Sequence, residues 1–186
     1  MRAKKRKLVK EMFGEVEVSS DPNISIVFDN MVSEWGALPY AELSVLLVHL
    51  RYLNIMHHSH HWTCKGDSFY GDHQLFQRLY EATESEIDSI GERAVGLGMT
   101  DNVNLFLQNA QLQRLTEGYN MLSTIPQSTE LAHRSLAAEK NFLVFVALAA
   151  ERLREQGLLS RGLDNMLQGI EDQHETHVYL LKQRTT

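Results

Sequence analysis

Between Pro39 and Gly66 the chain runs without a proline or a glycine. Within that stretch Leu43, Leu46, Leu47, Leu50, Leu53 and Asn54 recur at intervals of three and four residues, the spacing that puts side chains on one face of an α-helix. A helix over 40–64 would be roughly 37 Å long, with Gly66 at its end. An element of that length buries its apolar face only against others of similar length, and the sequence supplies them. Residues 71–95 carry Leu75, Phe76, Leu79, Tyr80, Ile87 and Ile90 on one side and close at Gly96 and Gly98, where glycine commonly ends a helix. A third helix is expected over 129–156, after the Pro126-Gln127-Ser128 break and up to Gly157, and a fourth over 160–182. Pro22, Pro39 and Pro126 are the only prolines, which argues against a sandwich of many short strands.

The two helix pairs have short connections, so each pair is antiparallel. The segment 99–127 between the pairs is long and predicts a short helix of its own over 103–113. This pattern is all-α: a four-helix bundle of the ferritin type with one long crossover. Residues 23–34 are apolar and read as either a strand or a helical turn. No repeat near the roughly 34–45 residues of helical-repeat arrays is visible. One domain over 23–186 is expected.

Charge divides the chain unequally. Residues 1–10 hold six of the 18 basic residues and no acidic one, leaving 12 basic against 24 acidic in the rest. A cationic arm over 1–22 on an acidic body is either a solvated tail or a contact for nucleic-acid phosphates. No apolar run reaches the roughly 18 residues of a membrane span, and the basic start lacks a signal peptide's apolar stretch, so a cytoplasmic location is expected. Cys64 is the only cysteine, which excludes an intrachain disulfide framework and a Cys-rich zinc module. It is expected to be a reduced thiol. No phosphate-cradling glycine loop or Ser-His-Asp order is present.

Histidine is where the chemistry lies. Four of the nine, His57, His58, His60 and His61, fall within one short run before Trp62. On a helix His57 shares a face with His60 and His61. On the next helix Glu84, Asp88 and Glu92 stack on one face, where their mutual repulsion is relieved by a cation or by a partner's histidines.

The run from His61-Trp62-Thr63-Cys64-Lys65-Gly66-Asp67-Ser68-Phe69 through His73, Phe76 and Tyr80 to Asp88-Ser89-Ile90-Gly91-Glu92-Arg93 resembles the mini-ferritin family, the DNA-binding proteins from starved cells (Dps). That family carries a His-Trp pair, a Lys/Arg-Gly turn, a second histidine and an Asp-x-x-x-Glu-Arg segment at these separations. Residues 172–181 resemble its closing helix, and the likeness spans 35–183. It implies a hollow dodecameric shell that oxidises Fe²⁺, usually with hydrogen peroxide, and stores Fe³⁺ mineral. It also implies a ferroxidase site between two-fold-related subunits, holding one or two irons. His61 and His73 would come from one subunit and Asp88 and Glu92 from its neighbour, with Trp62 beside them. DNA is then an expected partner of the basic arm. One departure is Gln77, where family members commonly carry Asp; it weakens a second iron position, which is expected to be helped by His57, His58 or His60.

The chain could be a DNA-compacting protein with a vestigial site. It could be a shell that holds zinc without turnover, because clustered imidazoles favour zinc over iron. An intrasubunit site through Glu171-x-x-His174 lacks its matching motif on the second helix, where Glu81 and Glu84 have no histidine at the needed spacing. His174 and His177 are accordingly expected at an interface or on the surface.

Overall fold

A computed structural model describes residues 23–118 and 127–186; the basic arm over 1–22 lies outside the described residues. Those residues form six α-helices and no strand: α1 Ile24–Glu34, α2 Ala41–Thr63, α3 Phe69–Gly96, α4 Leu105–Gly118, α5 Ser128–Glu155 and α6 Arg161–Thr185. A 3-10 turn, Thr100–Val103, precedes α4. None of these helices is long and apolar enough to cross a membrane. The segment read as a strand or a single turn is α1, an 11-residue helix, because Phe28 and Met31 are three apart and both reach the core.

Side-chain pairings give the direction of each helix. Asn54 of α2 donates to the carbonyl of Tyr80 and lies 3.2 Å from Thr83, while His61 meets His73. As numbers rise on α2 they fall on α3, so the two are antiparallel. The same rule holds for α2 against α5, where Glu42 accepts from Gln156 and His60 meets Ser135. It holds again for α6 against α3, with Arg184 on Asp72 and His174 on Glu86. Hence α2 and α6 run one way, and α3 and α5 the other. Two consecutive long helices that run parallel need a connection crossing the whole bundle, which is why the segment after Gly96 is long. This is the ferritin-like arrangement.

The crossover is fastened rather than draped. Trp35 Nε1 donates to Gln111 Oε1 at 3.0 Å, Gln111 donates back to the carbonyl of Met31 at 2.8 Å, and Arg51 donates to Gln108 at 2.8 Å. Residues 41–50 of α2 are buried on every side, because α1, α3, α4 and α5 surround them, and a helix so enclosed is mostly apolar, with Glu42, Ser44 and His49 the buried polar exceptions. Its entry is strained: Tyr40 has φ 59°, a left-handed conformation costly for a bulky residue. The buried Asn102 holds it by donating to the carbonyls of Pro39 and Tyr40 at 2.9 and 2.8 Å. At the other end of the bundle Gly157 takes φ +72° and closes α5, and the Ser160 hydroxyl accepts from the Leu163 amide to start α6.

Candidate metal sites

The histidine run on α2 divides by helix geometry, because successive residues point about 100° apart. His61 turns toward α3 and meets His73. The two imidazoles stack with centroids 3.7 Å apart and planes 23° apart. His61 Nδ1 donates to the main-chain carbonyl of His73 at 2.9 Å, and His73 Nδ1 donates to that of His61 at 3.0 Å. A carbonyl only accepts, so in the neutral rings each proton sits on Nδ1 and each Nε2 keeps its lone pair free. Metal-binding histidines are oriented by such an anchor on the other nitrogen. Both rings are half-buried.

Trp62 projects outward and is 69% exposed. His58 lies between it and Tyr80, with ring centroids 4.1 and 4.2 Å away. Cys64 is buried and its thiol donates toward the His61 carbonyl at 3.4 Å. Burial, then the Asp72 carboxylate, pushes the thiol up, which favours its protonated form.

Asp88 and Glu92 are both exposed on α3. With Glu81, Glu84, Ser85 and Ile87, Asp88 lines an open depression. Neither Asp88 nor Glu92 forms an ion pair among the described residues. One unbroken helix separates His73 from Asp88 by fifteen residues, roughly 22 Å along the axis. A single chain therefore does not bring the imidazole pair and these carboxylates together. Gln77, half-buried on α3, donates to Glu81 at 2.7 Å.

The remaining histidines overturn two expectations. His57 and His60 are 0% and 4% exposed and point between α2 and α5, so they are not available to help the His61–His73 pair; only His58 lies on that side. His174 and His177 were expected at an interface or surface, yet both are 0% exposed, because that face of α6 packs on α5 and α3. They converge on Glu139 of α5, itself fully buried. His174 Nδ1 is hydrogen-bonded to Glu139 Oε2, and His174 Nε2 lies 2.9 Å from Glu86 Oε2. His177 Nδ1 is 3.3 Å and His57 Nε2 2.8 Å from Glu139 Oε1. Donor atoms of Glu139, His174 and His177 all lie within 4.8 Å of one another, a grouping compatible with one metal ion. Glu171 is not among them, nor are Glu81 and Glu84: the carboxylates that meet His174 are Glu86 and Glu139.

The electrostatics follow from burial and pairing. Burial opposes charge on His174, but Glu139 and then Glu86 outweigh it and push its pKa up to about 10. Burial also disfavours the Glu139 carboxylate, yet His174, His177 and His57 hold it well below the usual range. His57 goes the other way, driven down chiefly by burial. His60 falls to about 3 through burial, His57 and Arg134. His49, two turns before His57, is pushed to about 3 by burial. Neither of its ring nitrogens has a partner among the described residues, and Tyr52, Phe142 and Phe145 surround it.

Sequence reasoning missed Glu86, Glu139 and the inward role of His57. Glu139 did carry a signal: it lies one turn after Ser135 and before Phe142 on a face otherwise apolar or small. A carboxylate there needs buried partners.

No family model matches the chain. It is 28% identical over 141 residues to the nutrient stress-induced DNA-binding protein of Nostoc sp., a match covering 73% of this chain and 74% of that protein. It is 24% identical over 165 residues to the DNA protection during starvation protein of Brevibacillus brevis, covering 86% of this chain and 92% of that protein.

Proposed function

Because the chain belongs to the Dps family of mini-ferritins, we propose that it is a ferroxidase and iron store whose oxidation site is completed by a second copy. His61 and His73 of one copy present their Nε2 lone pairs to Fe²⁺, and Asp88 and Glu92 of a two-fold mate supply the carboxylates. The observation that carries this reading is the reciprocal Nδ1–carbonyl bonding of His61 and His73, which prepares both rings as ligands with no metal present. The exposed acidic strip of α3 provides the complementary charge and draws cations toward the site.

In the reaction two ferrous ions each give one electron to hydrogen peroxide. The O–O bond breaks, and two protons complete two waters. The ferric products hydrolyse and are kept as mineral within a shell of twelve copies. Imidazole with carboxylate suits iron while leaving coordination positions open for the oxidant. Trp62, exposed beside the pair, is an oxidisable aromatic able to take up a stray oxidising equivalent. With Gln77 in place of a carboxylate, one iron position is held more weakly than the other. Zinc competes for the same imidazoles without turnover.

Complementation tests the reading. His61→Ala/His73→Ala chains and Asp88→Asn/Glu92→Gln chains should each oxidise Fe²⁺ poorly with peroxide under anaerobic conditions. Co-assembled, a mixed two-fold pair rebuilds one complete site out of two, so roughly half the activity of such pairs returns. No recovery in verified mixed assemblies would sink the inter-subunit site. A solution mass of about 256 kDa, twelve chains of 21.3 kDa, is the companion expectation.

A DNA role has its own support, since both relatives are named for DNA binding or protection and residues 1–10 are strongly basic. Deleting residues 2–10 should weaken a gel shift, and the shift of the full chain should fade steeply with salt.

A further inference from the structure

We infer that the core of each subunit holds a second metal site, closed and structural, in which Glu139, His174 and His177, joined by His57, bind one divalent first-row ion of the zinc type. It is separate from the half-buried His61–His73 pair and is completed within one chain.

The argument starts from what the bundle needs. A buried carboxylate accepts up to about four hydrogen bonds from any donors, and an apolar side chain of similar size would often serve stability as well. Here three imidazoles from two helices close on Glu139 from a third, and all four groups are 0% exposed. Their arrangement has a common form. Each ring turns one nitrogen to the Glu139 carboxylate and anchors the other on a different polar group. His57 presents Nε2 and rests Nδ1 on Ser135 Oγ at 3.2 Å. His174 presents Nδ1 and rests Nε2 on Glu86 at 2.9 Å. His177 presents Nδ1, and its Nε2 lies 2.9 Å from the Gln173 amide. Carboxylate–histidine–metal relays have this form: one nitrogen for the ion, and the other for a group that fixes the ring.

The distances agree. Donors around a tetrahedral ion with bonds of roughly 2.0–2.2 Å stand about 3.3–3.6 Å apart. The donor atoms of Glu139, His174 and His177 already lie within 4.8 Å of one another, so side-chain adjustments of about 1 Å close the set. His57 Nε2 lies 2.8 Å from Glu139 Oε1 but outside that 4.8 Å grouping, so it is the ring that must move furthest to become the fourth donor. Three imidazoles and a carboxylate with no open position match zinc in a structural role better than iron in turnover. The ion would link α2, α5 and α6 at mid-bundle. Glu86, whose side chain is 12% exposed, is the end of the network nearest solvent.

The test uses the full chain carrying His61→Ala/His73→Ala, stripped with chelator and titrated with Co²⁺, whose four-coordinate complexes absorb far more strongly in the visible than six-coordinate ones. We expect about one tightly bound ion per chain, intense four-coordinate bands and a raised melting temperature, with Zn²⁺ displacing the cobalt. Adding His177→Asn should abolish the bands while circular dichroism stays helical. Should that variant unfold, X-ray absorption of the loaded His61→Ala/His73→Ala protein decides the matter: imidazole scattering from two or three histidines supports the site. An all-oxygen shell, weak six-coordinate bands only, or bands that survive His177→Asn would overturn it and leave a proton-bridged network. Because the His61–His73 pair is already removed, either result leaves the ferroxidase reading to its own complementation test.

Discussion

Two histidine groups lie within two turns of α2 and differ in almost every physical respect. His61 and His73 are half-buried, are oriented by main-chain carbonyls and meet no carboxylate among the described residues. His57, His174 and His177 are fully buried, and Glu139 with Glu86 supplies the counter-charge inside the same subunit. In the proposed function the half-buried pair is open to substrate and to oxidant but depends on a neighbour for its acids. A cluster in the core is complete yet closed. Placement decides the contrast, since both groups use the same imidazole.

The largest difference should appear on removing the acid. Glu139→Gln leaves buried imidazoles around a neutral amide, and breaking a buried charged network in this way costs about 3–5 kcal/mol; urea denaturation of the metal-free protein measures it. A loss below 1 kcal/mol would mean that the core cluster is no more coupled than the rim. At the rim the expected effect is on rate. His61→Ala/His73→Ala should lower peroxide-dependent Fe²⁺ oxidation about 10–100-fold while changing stability by about 1 kcal/mol or less.

The comparison extends to pH. His49 and His60 are held neutral, with pKa values near 3 against an ordinary 6.5. The unfolded chain takes up protons below 6.5 that the folded chain refuses, so stability should fall as pH drops from about 6.5 toward 3. His174 has the opposite sign in the metal-free protein. Its raised pKa makes its contribution fully present below 6.5 and lost as pH climbs through about 10. Urea midpoints across this range should show a broad maximum between the two limbs. His49→Leu removes a buried ring with two unpartnered nitrogens, so it should flatten the acid limb and leave neutral-pH stability equal or higher by about 1–3 kcal/mol. A steeper acid limb would contradict this account. Smallest of all, Ser160→Ala removes the cap of α6 at a cost of about 1 kcal/mol and should leave both histidine groups intact, as thermal melts and Co²⁺ binding would show.

What the sequence determined by itself was whatever depends on neighbours in the chain. The leucine spacing of α2, the glycines after α3 and α5, and the long segment before α5 are local signals, because helix periodicity and helix stops act within a turn or two. The His61–His73 pair was legible only through the family resemblance; the short turn between α2 and α3 is what lets the two rings meet. Only the tertiary structure decided that His174 and His177 face inward, that Glu86 rather than Glu81 or Glu84 meets His174, and that Glu139 is the meeting point of three rings. Those groups come from helices tens of residues apart. Which face of a helix is buried is set by its neighbours in space, and an isolated helix pattern carries no record of what will pack against it.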